Sequence, residues 1–295
     1  MPLQETSIKV KSGKYTFIIN EKTLTRDEDI MYTSIQIGGD YPDCVSIFIN
    51  YNDKIPSSAK MPHVMYDEKC VENSNIVYLE RGDGSRLMIK TLIAYLRKNY
   101  PTITEIEFDD MSSIECATEE EIAHAKNIKH GSHLKPMTLY NFSIAYNGLT
   151  WYEKYFDARH KNVELHSKYR ERVNILLYDK ATKPSNFNEF IKITHLSQDL
   201  VDELFEFYKT SETYSQFFHS IPKSEGCRLI RPWIDIFMAH YLKNAFNNTN
   251  WIIPTVARGG KKIRYTRRKT TSFYVPNVRL SRIYQPNLGV SVDDL

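Results

Sequence analysis

The 295-residue sequence has no apolar run long enough to cross a membrane, and its N-terminus has no apolar signal core. It also has few cysteines, and none of them form a Cys-x-x-Cys pair. They are Cys44, Cys70, Cys116 and Cys227. This scatter predicts a reducing compartment, the cytoplasm, and argues against a disulfide scaffold or a zinc ribbon.

Familiar catalytic signatures are missing as well. The sequence contains no G-x-S-x-G elbow, no GxxxxGK[ST] phosphate loop and no HExxH motif. Cys116, His124, His130 and His133 give a C-x7-H-x5-H-x2-H pattern that matches no standard zinc spacing. We therefore expect a solvated insertion there and no metal site. A Cys–His nucleophile pair stays open, although nothing in the sequence marks one.

Acidic residues are absent from residues 236–292, which hold ten of the 39 Lys and Arg residues. An acidic body therefore carries a basic C-terminal segment, in which Tyr265, Phe273 and Tyr274 are interleaved with the charges. The basic residues expected to make contacts are Arg258, Lys261, Lys262, Arg264, Arg267, Arg268 and Lys269. Such a segment suits nucleic acid, through phosphate neutralisation and base stacking, or an acidic protein surface in an assembly. The third possibility is a solubilising tail.

The sequence pattern in the first half of the chain predicts mainly strands. Alternating apolar residues predict strands over residues 14–24, 31–37, 44–51 and 104–110, with a turn at Gly38-Gly39. Residues 1–13 are expected to be a loose arm. Residues 53–62, rich in Ser and Pro, are expected to be a loop.

The stretch from Ser74 to Pro101 is the most informative. Residues 75–80 (NIVYLE) have the β-branched and aromatic character of a buried strand. Residues 81–86 (RGDGSR) follow as a glycine loop. An amphipathic helix, with Ser85 as a possible cap, then runs to Tyr100-Pro101. The free amides and the dipole of such a helix start can bind an anion. The alternative is a tight connection that binds nothing.

The sequence pattern in the second half of the chain predicts mainly helices. The aromatic-rich residues 138–157 predict two helical pieces broken near Gly148, with the aromatics packed on the sheet. Further helices are expected over residues 163–178, 186–193, 197–218 and 230–246. After Trp251 the regular pattern is lost, which favours an extended basic arm. The expected domains are residues 14–158, 159–248 and 249–295.

The order of strand, Arg-Gly-Asp-Gly loop, helix, strand and a later helix ending in residues 151–156 (WYEKYF) resembles the GNAT family of N-acetyltransferases. The resemblance covers about residues 14–158. It implies an α/β fold with a mixed sheet flanked by helices, followed here by a mainly helical region and the basic arm. In the family, a Q/R-x-x-G-x-G/A loop cradles the acetyl-CoA pyrophosphate. Arg81 and Gly84 match that loop, whereas Arg86 stands where the family has Gly or Ala.

The resemblance also implies site residues. The cofactor, acetyl-CoA, would be bound by Arg81, Gly82, Asp83, Gly84, Ser85 and Arg86. Tyr152, at the matched Tyr-Glu-Lys position, would protonate the leaving thiolate, and its alternative role is a packed helix tyrosine. Glu80 is the first candidate for the base that takes the amine proton, with Glu107 and Asp109 behind it. The acyl acceptor is left open.

Composition and the Lys/Arg tail also resemble proteins of large nucleocytoplasmic DNA viruses. This places the chain in the host cytoplasm or in a virion. Three hypotheses follow from the sequence. The first is an acetyl-CoA-dependent N-acyltransferase. The second is a non-catalytic protein of the same fold that serves in a virion or an assembly. The third is a nucleic-acid-binding protein that acts through residues 258–282.

Overall fold

The structure, a computed structural model, describes residues 3–26, 29–79, 82–114, 137–242, 250–256 and 289–291. Within these ranges the protein is α/β, with a large mixed sheet flanked by helices and a mainly helical region that follows. The predicted fold class is confirmed at this level. The candidate contact residues of the basic arm, from Arg258 to Lys269, lie outside the described residues.

The strands are defined by the sheet hydrogen bonds. They are β1 (Leu3–Ser12), β2 (Tyr15–Arg26), β3 (Asp29–Gly38), β4 (Val45–Asn52), β5 (Ile55–Val64), β6 (Glu105–Phe108), β7 (Ser113–Ile114), β8 (Met137–Thr138), β9 (Arg159–His160), β10 (Trp251–Pro254) and β11 (Gly289–Ser291). The main sheet has the order β11-β1-β2-β3-β4-β5-β6-β10-β9, and β7 pairs with β8 separately.

The helices lie between and after these strands. They are α1 (Asp83–Asn99), α2 (Leu139–Asn147), α3 (Trp151–Phe156), α4 (Val163–Tyr178), α5 (Phe187–Thr194), α6 (Gln198–Lys209), α7 (Tyr214–Ser220) and α8 (Ile234–Leu242). The break near Gly148 and the helix over residues 163–178 are confirmed. The predicted helix over residues 197–218 is instead two helices. Thr213 begins the second by accepting a hydrogen bond from the amide of Gln216.

Strands β1 to β5 form an antiparallel meander, and β5 then runs parallel to β6. A parallel pair needs a crossover, and α1 supplies it. Strand β10 lies between β6 and β9 and is antiparallel to both. The sheet thus takes strands from each of the three predicted segments of the chain.

The loop predicted over residues 53–62 is wrong, because β5 occupies most of it. Its two prolines lie where a strand tolerates a missing amide hydrogen. Pro56 pairs next to the hairpin turn, opposite Tyr51. Pro62 falls at the register shift where one extra residue of β5 faces β4. The three residues that pair with β6, Ala59 to Met61, lie between the prolines.

The strand predicted over residues 75–80 is also wrong in the part described. Residues 72–76 form turns, and the side chains of Ile76 and Tyr78 are 79% and 58% exposed. The carboxylate of Asp40 fixes this turn by accepting hydrogen bonds from the amides of Asn73 and Ser74. No strand in the described chain pairs with this stretch, so its β-branched residues find no sheet to join.

Residues 1–13 are not a loose arm where they are described. Strand β1 pairs with β2 from Leu3–Leu24 to Ser12–Tyr15. The two-residue turn between these strands contains Gly13, whose positive φ of 58° suits glycine. The predicted strands over residues 14–24, 31–37, 44–51 and 104–110 are confirmed.

The described chain also contains a disulfide, which corrects the expectation drawn from the cysteine spacing. Cys44 and Cys70 are bridged, with their Cα atoms 5.8 Å apart, and both side chains are fully buried. The bridge ties the residue before β4 to the short 3₁₀ turn after β5. Scattered cysteines cannot be read as unpaired, because pairing depends on distance in the fold and not in the sequence.

One face of the sheet packs against α1 and forms the core with it. Five buried sheet residues on that face are Phe17, Ile35, Ile47, Met61 and Phe108, and their helix counterparts include Met88, Leu92 and Leu96. In the helical region the same core is rich in aromatic residues around Trp233, which stacks on Phe218 at 5.8 Å between ring centres. In the described ranges no helix combines the length and apolarity that a membrane span requires.

Candidate functional site

The candidate site lies where the two parallel strands β5 and β6 end. In open sheets with parallel strands, ligands bind outside the carboxyl ends of the strands. The first turn of α1 meets the end of β5, since the hydroxyl of Ser85 donates to the carbonyl of Met65 at 3.5 Å. Helix α3 meets the end of β6 on the core face, where the rings of Phe108 and Tyr152 are 4.4 Å apart. These contacts bring the predicted loop and the predicted tyrosine to the same end of the sheet.

The glycine loop begins α1, as expected, although Ser85 does not cap the helix. Gly82 takes the cap position with a φ of 76°, and no side chain caps the helix start. A Cβ on Gly84 would lie 2.6 Å from the side chain of Leu79, so this glycine is required for packing. Glu80 and Arg81 lie outside the described residues, so their predicted roles remain predictions.

Arg86 bridges α1 and α3. Its guanidinium lies 2.8 Å from Oδ1 of Asp83 and 5.3 Å from the centre of the Tyr155 ring. The Nε atom is buried and has no hydrogen-bond partner within the described ranges. The side chain thus occupies the space between the helix start and α3, with one polar atom left for another acceptor.

Tyr152 points into the interior. Its side chain is buried, and its hydroxyl lies 3.5 Å from the hydroxyl of Ser112. Burial raises the pKa of Tyr152 well above its ordinary value, and the charge of Asp110 adds to the rise. The phenol is therefore protonated at neutral pH.

The other two base candidates lie on the opposite face of the sheet. Strand residues alternate between faces, so Glu107 and Asp109 point away from the face that carries Phe108. Glu107 forms an ion pair with Lys161. Asp109 lies 3.1 Å from the ammonium group of Lys60. Each carboxylate is thus paired with a lysine, and the sheet lies between both carboxylates and Tyr152.

Asp110 is the carboxyl group that lies near Tyr152, and it was not among the predicted site residues. It follows Phe108 by two positions and shares its face, so the alternation of β6 could have found it. Burial raises the pKa of Asp110 to about 6, the Ser112 hydrogen bonds oppose this, and the charge of Glu153 adds to it. The amide of Ser112 donates to Oδ1 of Asp110 at 3.3 Å. A carboxyl group with this pKa can exchange protons near neutral pH.

Glu153 gives the Tyr-Glu-Lys motif a structural role. Its carboxylate accepts from the amide of Thr150 at 2.7 Å, and the hydroxyl of Thr150 accepts from the amide of Glu153. This is a capping box, which the order Thr-x-x-Glu signals in the sequence. The same carboxylate accepts from the hydroxyl of Tyr169 at 2.9 Å and pairs with Arg170. Burial raises the pKa of Glu153, and Arg170 opposes that rise.

Another surface feature lies apart from these residues. His160, Lys161, Asn162, Leu165 and Asn250 line an open depression of about 420 Å³ beside β9 and β10. None of the predicted site residues line it. Among the described residues, no group of three His, Cys, Asp or Glu side chains could hold a metal ion. Cys116 and the three histidines that follow it lie outside the described ranges.

Comparison with protein-family models, with curated proteins and with solved structures finds no match to this chain. The assignment of a function therefore depends on the geometry of the site.

Proposed function

We propose that the protein is a CoA-dependent N-acyltransferase of the GNAT type. In this proposal the pyrophosphate of acetyl-CoA contacts the start of α1 at Gly82 to Arg86. The acyl thioester lies at the carboxyl ends of β5 and β6. The acyl acceptor is an amine.

One observation carries the proposal. The parallel pair β5 and β6 brings the glycine-started helix α1 and the aromatic helix α3 to one end of the sheet. The amides of the first turn of α1 offer hydrogen bonds to a phosphate, and the helix dipole favours its charge. The guanidinium of Arg86, held against Tyr155, adds a cation next to these amides.

The chemistry needs one group that accepts a proton and one that donates it. The amine nitrogen loses a proton, its lone pair forms a C–N bond to the thioester carbonyl, and the C–S bond breaks to leave a thiolate. Asp110 is assigned as the acceptor of the amine proton, since its pKa of about 6 lies close to working pH. Tyr152 is assigned as the donor to the thiolate, since it holds its proton at neutral pH.

Isothermal titration with CoA and acetyl-CoA tests the binding step. We expect binding by the unaltered protein and weaker binding by Arg86→Glu, because the new carboxylate repels the pyrophosphate. Lys90→Glu is the matched control, since Lys90 is exposed on the same helix. The absence of binding at millimolar ligand would overturn the proposal. Gly84→Val is unsuitable, because its side chain would clash with Leu79.

Release of CoA thiol in the presence of small amines tests the chemical step. Tyr152→Phe should lower the rate about a hundredfold with CoA affinity unchanged, because the phenol contributes as a general acid. Tyr95→Phe is the control. It removes a comparable buried hydroxyl, one that donates to Glu21 at 2.8 Å. Equal rates for the two variants would show that the Tyr152 hydroxyl takes no part in the reaction.

Two observations favour a second function. Arg86 stands where the family has a small residue, and its side chain lies across Tyr155. The Tyr152 hydroxyl is buried. Both features suit a non-catalytic protein of this fold that serves in an assembly. That reading predicts no CoA binding in the titration above and association with a large particle in sedimentation.

A further inference from the structure

Lys154 lies at the surface beside the proposed cofactor site. It directly follows Glu153 on α3, and its ammonium group donates to Oδ1 of Asn147 at 2.9 Å. It also lies 5.3 Å from the centre of the Tyr155 ring, the ring that Arg86 contacts. One aromatic ring therefore holds cations from two helices.

Lys223 is a further cation that contacts α2. Its ammonium group lies 5.1 Å from the centre of the Tyr146 ring, and Tyr146 directly precedes Asn147. The hydroxyl of Tyr146 donates to the carbonyl of Ile221 at 3.0 Å, which fixes the turn that carries Lys223. Lys154 and Lys223 therefore contact two adjacent residues of α2, Asn147 and Tyr146. Desolvation lowers the pKa of Lys223, and the charge of Lys154 lowers it further.

Acidic neighbours do not neutralise this pair. Glu153 points inward and pairs with Arg170. Glu225, the acidic residue nearest to Lys223 in the sequence, pairs with Arg228. Within the described part of the chain neither lysine forms an ion pair with a carboxylate. Two like charges held together without a counter-charge raise the free energy of the protein, and an anion would relieve this.

We propose that Lys154 and Lys223 form a binding site for the phosphate monoester of a small ligand. Two flexible ammonium groups supply point charges without a fixed fork, which suits the two charges and three free oxygens of a monoester. The inference rests on the proposed function for the identity of the ligand. In CoA, the group of this kind is the 3′-phosphate, whereas the pyrophosphate would lie at α1.

Titration of the full chain with CoA, dephospho-CoA and adenosine 3′,5′-bisphosphate tests the inference. We expect Lys154→Gln and Lys223→Gln each to weaken CoA binding by up to about fivefold, the upper range for an exposed ion pair. The double variant should bind CoA about tenfold or more weakly than the unaltered protein. Dephospho-CoA, which lacks the 3′-phosphate, should bind the unaltered protein and the double variant equally. Lys90→Gln/Lys98→Gln is the control, since both residues are exposed on α1.

Each outcome decides the inference separately from the proposed function. If CoA and dephospho-CoA bind equally to the unaltered protein and to the double variant, the site is overturned and the acyltransferase proposal stands. If CoA does not bind but the bisphosphate does, and the double variant loses that binding, the site stands and the acyltransferase proposal fails. If none of the three ligands binds, both are overturned.

Discussion

The guanidinium of Arg86 lies 5.3 Å from the centre of the Tyr155 ring and thereby joins the first turn of α1 to α3. Among the described residues, this contact joins the predicted glycine loop to the predicted Tyr-Glu-Lys motif.

Arg86→Ala should destabilise the protein by about 1 kcal/mol, since it removes a partly buried cation–π contact and an ion pair. Urea unfolding would measure the change. Lys90→Ala, on the exposed side of the same helix, should be nearly neutral. Equal effects of the two substitutions would mean that the Tyr155 contact contributes nothing.

Removing the Cys44–Cys70 disulfide should cost about 3 kcal/mol, because the bridge closes a loop with a sequence separation of 26 residues. The double variant Cys44→Ala/Cys70→Ala, unfolded in urea beside the unaltered protein, would show the loss. Adding a reductant should lower the stability of the unaltered protein by more than it lowers that of the variant, which lacks this bridge. Alkylation of both cysteines in unreduced, denatured protein would contradict the bridge.

The ionisation of Asp110 should lower the free energy of unfolding as pH rises. Its folded pKa of about 6 lies above the ordinary value of 3.8, so between these values the folded state retains a proton that the unfolded state has released. The stabilising contribution is fully present below about pH 4 and is lost as pH rises through about 6. The loss is about 3 kcal/mol.

Asp110→Asn removes this titration while keeping an acceptor for the amide of Ser112. The stability of the variant relative to the unaltered protein should therefore rise by about 3 kcal/mol from pH 4 to pH 7. Urea unfolding across that range would measure it. A relative stability that does not change with pH would rule out a buried carboxyl with a raised pKa.

Glu153 and Tyr169 should be coupled energetically. Glu153→Met and Tyr169→Phe each remove one partner of this buried hydrogen bond, at a cost of about 1–3 kcal/mol. A double-mutant cycle should give a coupling of at least about 1 kcal/mol. The pair Lys168 and Glu164 on the surface of α4 is the control, with an expected coupling below about 0.5 kcal/mol. Additive effects of Glu153→Met and Tyr169→Phe would contradict the hydrogen bond.

Much of the fold could be read from the sequence where the pattern is local. Strand β6 and helix α4 follow from hydrophobic periodicity, and the break at Gly148 follows from the need for a positive φ. Local patterns failed where a neighbour decides the outcome. Residues 75–79 have strand character but pair with no strand in the described part of the chain, whereas β5 contains two prolines and has partners on both sides.

In the candidate site, too, the residues marked by local sequence were predicted and those that depend on tertiary contacts were not. The glycine loop and Tyr152 could be named because their residue types form a recognisable order. Asp110 was missed because its importance arises from burial, which raises its pKa, and burial depends on helices distant in the sequence. The pair of Lys154 and Lys223 could not be predicted, because they are 69 positions apart and share only their contacts with α2.

The α/β class, the position of α1 with its glycine start and the two-part aromatic helix could all be predicted without the structure, because each depends on residues within a few turns of chain. The three-dimensional structure was needed to show that β5 and β6 run in parallel and that Cys44 pairs with Cys70. It also placed Asp110 next to Tyr152 and set Arg86 against Tyr155. These relationships depend on long-range contacts, whose free energy is set by what is buried together and not by neighbours in the sequence.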